Sequence, residues 1–508
     1  MPSARLRLIA LAGCTLLGAC NDTSNFAPAS PDTPWQAQSA DEAAPLPPAP
    51  VTTPTSATTT PREFTVPQDG VAQSPSPSGI DPNHVYSLVE LIDIAQSRNP
   101  ETRVAWEQAR QAAIGVGMAR AAYLPALTAG VLGGYQRIVA PFPNEQGFIT
   151  SNSAEVWPQL AVTYLLLDFG GREATLKEAG QRSIAANAAF TAAHQLLIFN
   201  VAHAYFTVDG TDAAVRGAQQ ALADAQVLQQ SAEALYGRGL ATIVEVQLAR
   251  RGTAQAQFDL SKAKAGQNDS MYALLAAMDL PPTTKLRVAD SSRRPLPPRT
   301  SSTVDEVLAE ALHRRPDLLA DVAKLRATDA NIAAARSAMA PTVALGGFVQ
   351  FNAGTVNVDN GPYSSVAEPQ GEVLVTLNWP LYEGGLLQNK LHLAESQHEE
   401  AADALKLQTD QALREVALAY DQIETGLNEY EAAVALETAS EAAYQSARDS
   451  YAHGVGTLTD AATAQTGLAM ARAEVARTHA QSLVNAAALA FATGELTSSR
   501  DFATGTVP

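Results

Sequence analysis

Tyr236-Gly237-Arg238-Gly239-Leu240-Ala241-Thr242-Ile243-Val244-Glu245-Val246 and Tyr451-Ala452-His453-Gly454-Val455-Gly456-Thr457-Leu458-Thr459-Asp460 carry the same run of signals, with the two Tyr residues 215 positions apart. An Ala-rich helical pattern leads into each Tyr. Gly239 and Gly454 offer the left-handed residue that ends a helix, Thr242 and Thr457 can cap the next one, and Glu245 or Asp460 follows in its first turn. Each stretch therefore reads as the tip of a helical hairpin, and two tips in one chain suggest a duplicated object.

Working outward, further anchors repeat at nearly the same offset. Arg98-Asn99-Pro100-Glu101 matches Arg314-Arg315-Pro316-Asp317 at 216, and Leu124-Pro125 matches Ala340-Pro341 and Asp209-Gly210 matches Thr425-Gly426 at that same offset. Leu167-Asp168-Phe169-Gly170-Gly171 matches Leu381-Tyr382-Glu383-Gly384-Gly385 at 214. This period is too long for a short-repeat solenoid.

Each repeat has one internal order. A helical stretch, 88–122 or 304–338, stops before Pro125 or Pro341, because the residue before Pro is pushed out of the helical region. Two strand-like runs follow, 126–137 and 156–167 around Pro141-Phe142-Pro143-Asn144, then 342–353 and 371–381 around Asp359-Asn360-Gly361-Pro362. In the last run Val373, Val375, Leu377 and Trp379 alternate with Glu372, Thr376 and Asn378. Strands of about 10 to 12 residues match a membrane β-strand, yet four cannot close a barrel. Open edges in lipid leave backbone groups unpaired, so the chain must oligomerise.

After each Gly-Gly a helical pattern of about 64 residues runs to the tip, roughly 100 Å at 1.5 Å per residue. Leu413, Val416, Tyr420, Ile423, Leu427, Tyr430 and Val434 step alternately by three and four, the spacing of left-handed coiled-coil packing. The return arms span 243–278 and 458–493. No uninterrupted apolar stretch of 18 residues follows the N-terminal signal, which disfavours an inner-membrane helix.

The chain has 508 residues, a net charge of -18 and no basic block, which argues against a nucleic-acid partner. Its two cysteines, Cys14 and Cys20, fall in an export signal made of Arg5, Arg7 and the apolar run Leu8 to Ala19. Leu17-Gly18-Ala19-Cys20 looks like a bacterial lipobox, with Cys20 as the acylated residue. Leu11-Ala12-Gly13-Cys14 also fits, but cleavage there leaves an apolar stretch of only about six residues, below the usual length of roughly 7 to 15. Residues 21 to about 80 are crowded with Pro, Ala, Ser and Thr and read as an extended tether.

Duplicated halves, Leu-Pro or Ala-Pro before a strand pair, Gly-Gly opening a very long helix, and a Tyr-x-x-Gly tip together resemble the TolC family of outer-membrane channels, in its lipidated OprM-like branch. The resemblance spans about 84–496. It implies a mainly α fold with a membrane β-barrel portion: long coiled-coil hairpins form a periplasmic α-barrel, and four β-strands per chain enter a twelve-stranded barrel of a homotrimer. It also implies a periplasmic adaptor (membrane fusion) protein, an inner-membrane pump of RND or ABC type, outer-membrane lipid around the barrel, and no cofactor. Asn21, rather than Asp, follows Cys20, which by the same resemblance favours the outer membrane. The organisation expected is a signal at 1–19, a tether at 20–83, repeats at 84–290 and 303–496, a linker at 291–302 and a tail at 497–508.

By resemblance the periplasmic gate falls on Tyr451, Asp460, Glu245 and Thr463. The family's second acid is replaced by Thr463 and its gating Arg by Gly456, so Tyr451 hydrogen bonding and packing are expected to hold the gate. Glu245 and Asp460 also read simply as acids favoured at a helix N-terminus. Gly239, Leu240, Gly454 and Val455 fall where family members meet the adaptor. Trp157, Trp379, Tyr135, Phe348 and Phe351 read as members of an aromatic girdle or as ordinary packing. No catalytic or metal constellation is evident: His398-Glu399-Glu400 lacks the second His of a zinc protease motif, and no phosphate loop or nucleophile elbow occurs. The function expected is the exit duct of a tripartite efflux system. Two alternatives remain: a type I protein-secretion duct, and a non-porous periplasmic coiled-coil scaffold lipoprotein.

Overall fold

The computed structural model describes residues 80–141, 147–292, 294–299 and 302–502. The chain divides into units Met1–Ser76 and Pro77–Pro508, and every described residue lies in the second. Cys14, Cys20, the signal and most of the tether lie outside the described residues, as do Phe142, Pro143 and Asn144 of the first strand loop.

The first repeat runs β1 (Val85–Tyr86), α1 (Leu88–Arg98), α2 (Pro100–Ala121), β2 (Ala126–Pro141), β3 (Phe148–Leu167), α3 (Gly171–Gly237), α4 (Ile243–Ala277) and β4 (Arg287–Val288). The second runs α5 (Val304–Arg314), α6 (Pro316–Ser337), β5 (Thr342–Val358), β6 (Ser364–Asn378), α7 (Leu386–Ala452) and α8 (Leu458–Ala492), followed by a 3-10 turn at Ser499–Phe502. Corresponding helices match in length, at 11, 22, 67 and 35 residues.

The single helix expected at 88–122 is two helices. Pro100 and Pro316 sit at the first helical position, and Asn99 or Arg315 before them is extended, serving at once as C-cap and N-cap. Asn99 Oδ1 accepts from the Glu101 and Thr102 amides at 2.7 and 3.1 Å. The Arg315 side chain makes no cap hydrogen bond and instead donates to Asp317 and Glu415, each at 2.7 Å.

The helix starts also refine the repeat. α1 and α5 lie 216 residues apart, but α3 and α7 lie 215 apart, so one residue is lost within the strands. Gly170 and Gly385, both left-handed, open the long helices, and Gly210 is matched by Thr425 rather than Gly426. The contacts agree: a Cβ on Gly210 would sit 2.8 Å from that of Ala480, whereas Gly426 faces Ser482 and Asn485.

The strands are longer than expected, and the second loop shrinks to 359–363, where Asp359 and Asn360 take left-handed conformations. The main core lies where α1, α3, the end of α4 and α8 meet. Leu91, Ile92, Ile198, Val201, Phe206, Leu274, Met278 and Leu483 are buried there. α3 is apolar and long enough to pass for a membrane span by composition, but these contacts make it a packed helix. Val416, Ile423 and Leu427 of the expected seam are buried, while Val434 is exposed. Phe502, in the segment expected as a tail, is buried in the main core.

The linker is pinned. The Ser291 amide donates to Asp209 at 3.1 Å, the Arg294 carbonyl meets His479 Nε2 at 3.0 Å, and Arg299 donates to Asn428 at 2.7 Å.

Candidate functional site

The four long strands form one antiparallel sheet in the order β2-β3-β5-β6. Opposed residues in such a sheet share a face, so the register sorts every side chain. One face carries Leu127, Val162, Gly347 and Val373 in one row, then Ala129, Leu160, Val349 and Gly371, then Val131, Pro158, Phe351 and Pro369. It stays apolar to Gly133, Val156, Ala353 and Ala367, and turns polar at Arg137, Asn152 and Asn357. The other face carries Thr128, Ala161, Phe348 and Glu372, then Gly130, Gln159, Gln350 and Gln370, then Leu132, Trp157, Asn352 and Glu368.

Burial separates the faces too. From Ser153 to Ala161 in central strand β3, residues of the polar face are sheltered and those of the apolar face exposed. The polar face is thus the inside of a curved sheet. On it Gln350 Nε2 donates to Gln370 at 2.8 Å, and Trp157 Nε1 donates to Glu155 at 2.9 Å.

Register decides the aromatic residues. Tyr135 and Phe351 lie on the apolar face; Trp157 and Phe348 lie on the polar face, so an outward girdle excludes them. Trp379 follows the end of β6 and is exposed. Among the described residues β2 and β6 each pair on one side only, leaving two long open edges of the kind that recruits another strand.

The two tips lie at the far ends of the long helices. At the first, the Leu240 and Gly239 amides donate to the carbonyls of Leu235 and Tyr236. At the second, the Val455 and Gly454 amides donate to those of Ser450 and Tyr451. This is the Schellman pattern, which needs a left-handed residue after the cap: Gly239 has φ +74° and Gly454 φ +75°. Leu240 and Val455 are thereby thrust out, 72% and 81% exposed. Thr242 caps α4, its amide donating to Glu245 at 2.6 Å. Thr457 caps α8, its hydroxyl donating to Asp460 at 2.7 Å while the Asp460 amide donates back at 3.1 Å. Both acids thus serve their helix N-termini.

Tyr451 is buried with Leu228, Ala232, Leu235, Ala249, Tyr444, Leu458, Ala461 and Leu468, a cluster that joins the two hairpins. Its hydroxyl has no hydrogen-bond partner among the described residues, so within them packing holds it there. Burial first, and Glu245 second, push the phenol above its ordinary pKa. Asp460 and Thr463, three residues apart on α8, are both exposed. Gly456 has no room for a side chain, since a Cβ there would fall 2.9 Å from that of Ser450.

Sequence reasoning missed Arg472. From α8 its guanidinium reaches Asp224 of α3 at 3.4 Å, Glu437 of α7 at 3.8 Å, and Glu441 of α7. Beside it Tyr444 is pushed up to about 12, by burial first and by Asp224 second. Among three nearby acids on two helices the Arg is a detectable signal, but only once the helices are placed. Among the described residues no group of three or more His, Cys, Asp or Glu is arranged to hold a metal ion.

A family model described as outer membrane efflux protein matches residues 91–279 and 307–495. Outer membrane protein OprJ of Pseudomonas aeruginosa is 28% identical over 374 residues, covering 72% of this chain and 75% of its own. Pyoverdine export outer membrane protein OpmQ of Pseudomonas putida is 28% identical over 352 residues, 67% of this chain and 70% of its own. The outer-membrane channel OprN superposes with a TM-score of 0.68 at 22% identity, over 80% of this chain and 90% of its own, a likeness of fold.

Proposed function

The chain belongs to the outer membrane efflux protein family of TolC-type channels, and from that premise we propose that three copies close their sheets into one outer-membrane barrel. Cargo handed over by an inner-membrane pump and a periplasmic adaptor leaves the cell through it. The observation that carries this reading is the sheet: one apolar and one polar face, with two open edges.

The apolar band extends from Val343 and Leu377 to Ala353 and Ala367. Ten steps are about 33 Å along the strand, or about 25 Å along a barrel axis at the usual tilt, the height of a membrane barrel's apolar band. Unpaired backbone at this depth is too costly to leave open, and pairing β6 of one copy with β2 of the next removes both edges. A non-porous scaffold gives no account of such a sheet.

Tyr451, Asp460, Glu245 and Thr463 form the periplasmic gate in this reading. Tyr451 locks the two hairpins by packing, Arg472 ties them by charge, and Asp460 with Thr463 faces solvent beside the tip. Gly239, Leu240, Gly454 and Val455 present apolar knobs to the adaptor. Acylation at Cys20 adds a lipid anchor.

In mild detergent the purified protein should run as a trimer that resists dissociation without boiling, with β signal in its circular dichroism. A folded monomer at all concentrations would overturn the proposal.

A further inference from the structure

Two grooves follow one another along the apolar face of the sheet. The first, of about 670 Å³, is walled by Ala129, Leu160 and Val349 in one outward row and by Val131, Pro158 and Phe351 in the next. Trp157 and Phe348 of the polar face take no part in it, which puts the groove on the outer side. Its cause is local: the register of β3 with β5 skips Trp157 and Pro158, and a residue without an N–H cannot complete the ladder. The second groove, of about 390 Å³, continues past Gly133 to Tyr135 and Ala154. From Ala129 to Tyr135 is six steps, about 20 Å along the strand or about 15 Å along a tilted barrel's axis. That is half the bilayer's hydrocarbon thickness of about 30 Å, so the grooves together span one leaflet.

Polar groups close the far end. The Tyr135 hydroxyl donates to Asn152 at 3.0 Å, and Asn152 Nδ2 donates to Asn357 at 3.3 Å. Opposite Asn152 stands Arg137, the one basic side chain among the described residues of the four strands. It is exposed and pairs with no acid among the described residues. Glu155, Glu368 and Glu372 lie on the other face, and the Asp359 carboxylate, on this one, accepts from the Thr150 amide at 2.7 Å. Arg137 is two outward rows beyond the apolar band, about 10 Å further along the axis. A long side chain reaches back from there to the level of the lipid heads. The helices leave the sheet at its opposite end, at Ala126, Leu167, Thr342 and Asn378. With the helices in the periplasm, Arg137 faces the outer leaflet.

From this arrangement we infer that the grooves seat an acyl chain of an outer-leaflet lipid whose head carries phosphate, and that Arg137 binds the phosphate. The inference rests on the membrane barrel proposed above. A guanidinium offers a planar fork of donors that fits a phosphate, and no acid on the strands' outer face competes for it. A free phosphate would meet Arg137 alone, whereas a lipid also fills the groove. The site lies on β2, the strand through which one copy meets the next, so the bound lipid stands beside the seam between copies.

The test counts lipids on the intact trimer by native mass spectrometry in mild detergent. The probes are lipid A, an acylated disaccharide that bears phosphate, and phosphatidylcholine, whose phosphate is neutralised within its own head. Native protein is compared with Arg137→Gln, Arg137→Lys and Ala154→Phe, the last of which fills the groove beside Tyr135. Lipid A should bind the native trimer at up to one per chain, and Arg137→Gln should weaken it about fivefold, with Arg137→Lys between. Ala154→Phe should weaken both lipids, and excess inorganic phosphate should not displace lipid A. Should Arg137→Gln fail to assemble, Arg137→Lys and Ala154→Phe carry the test. Equal lipid A binding in native and Arg137→Gln trimers, or in native and Ala154→Phe trimers, would overturn the inference, as would displacement by phosphate alone. Each of these leaves a conducting trimer standing. Absence of both trimers and conductance would overturn the barrel, and the lipid site with it.

Discussion

Arg472 Nη1 lies 3.4 Å from Asp224 Oδ2, joining the return arm of the second hairpin to the outgoing helix of the first. Glu437 and Glu441 converge on the same guanidinium from α7, and its side chain is only 26% exposed. Without Arg472 three carboxylates would face one another across the junction. Arg472→Ala should therefore loosen the tips, lowering stability by about 1–2 kcal/mol and raising the leak of large antibiotics into cells that produce it. Arg472→Lys should fall between, because an ammonium cannot span all three acids. A leak unchanged in Arg472→Ala would show that this ion cluster is not a latch.

Tyr451 gives the opposite expectation. Its ring is packed between the hairpins, but its hydroxyl has no hydrogen-bond partner among the described residues. Tyr451→Phe should leave thermal stability unchanged or raise it by about 0.5 kcal/mol, whereas Tyr451→Ala should cost about 3–5 kcal/mol. A marked loss in Tyr451→Phe would show that the hydroxyl is bonded to a neighbouring copy.

Asp209 is buried against the linker, accepting from the Ser291 amide at 3.1 Å. Burial, the largest cause, raises its pKa, and nearby Asp290 adds to the effect; Tyr205 and Arg294 face the same pocket, and Arg216 pairs with Asp290. A carboxyl whose pKa is raised on folding favours the folded state at low pH, and that contribution is lost as pH rises through the folded value. Asp209→Asn should therefore stabilise at pH 7, by on the order of 1 kcal/mol. The gain should fade as pH drops into the ordinary carboxylate range. Melting curves of both proteins between pH 4 and pH 8 check the sign.

Leu240 and Val455 support nothing inside the chain, being 72% and 81% exposed. Replacing both with Ser should shift stability by less than about 0.5 kcal/mol. With the tips as the docking surface, the double change should reduce adaptor capture and efflux in cells while single-channel conductance stays the same. Efflux equal to the native level would move the docking surface elsewhere.

The tips are legible in the sequence because their signals are local: a left-handed Gly, a capping Thr and an acid three residues on act within one turn. The alternation in β6 is legible for the same reason, through Val373, Val375 and Leu377 against Glu372 and Thr376. The break at Pro100 is not, because Pro is equally at home at the first position of a new helix, and Asn99 stands out in the sequence only as an anchor of the repeat. The outer halves of the strands escape notice because Ser151, Asn152, Ser153 and Asn357 carry no hydrophobic alternation; neighbouring strands, not side-chain pattern, fix them there. Arg472 is invisible for a deeper reason. Its partners lie 31, 35 and 248 residues away, and only the packing of α3, α7 and α8 brings them together.

Single-channel recording in a planar bilayer, on the native protein and on Asp460→Ala, tests most directly whether this chain forms a gated outer-membrane duct. Small, cation-preferring currents are expected from the native trimer, and larger or less selective currents when the Asp460 carboxylates are removed from beside the tip. Well-folded protein that forms no trimer and passes no current in either form would contradict the duct.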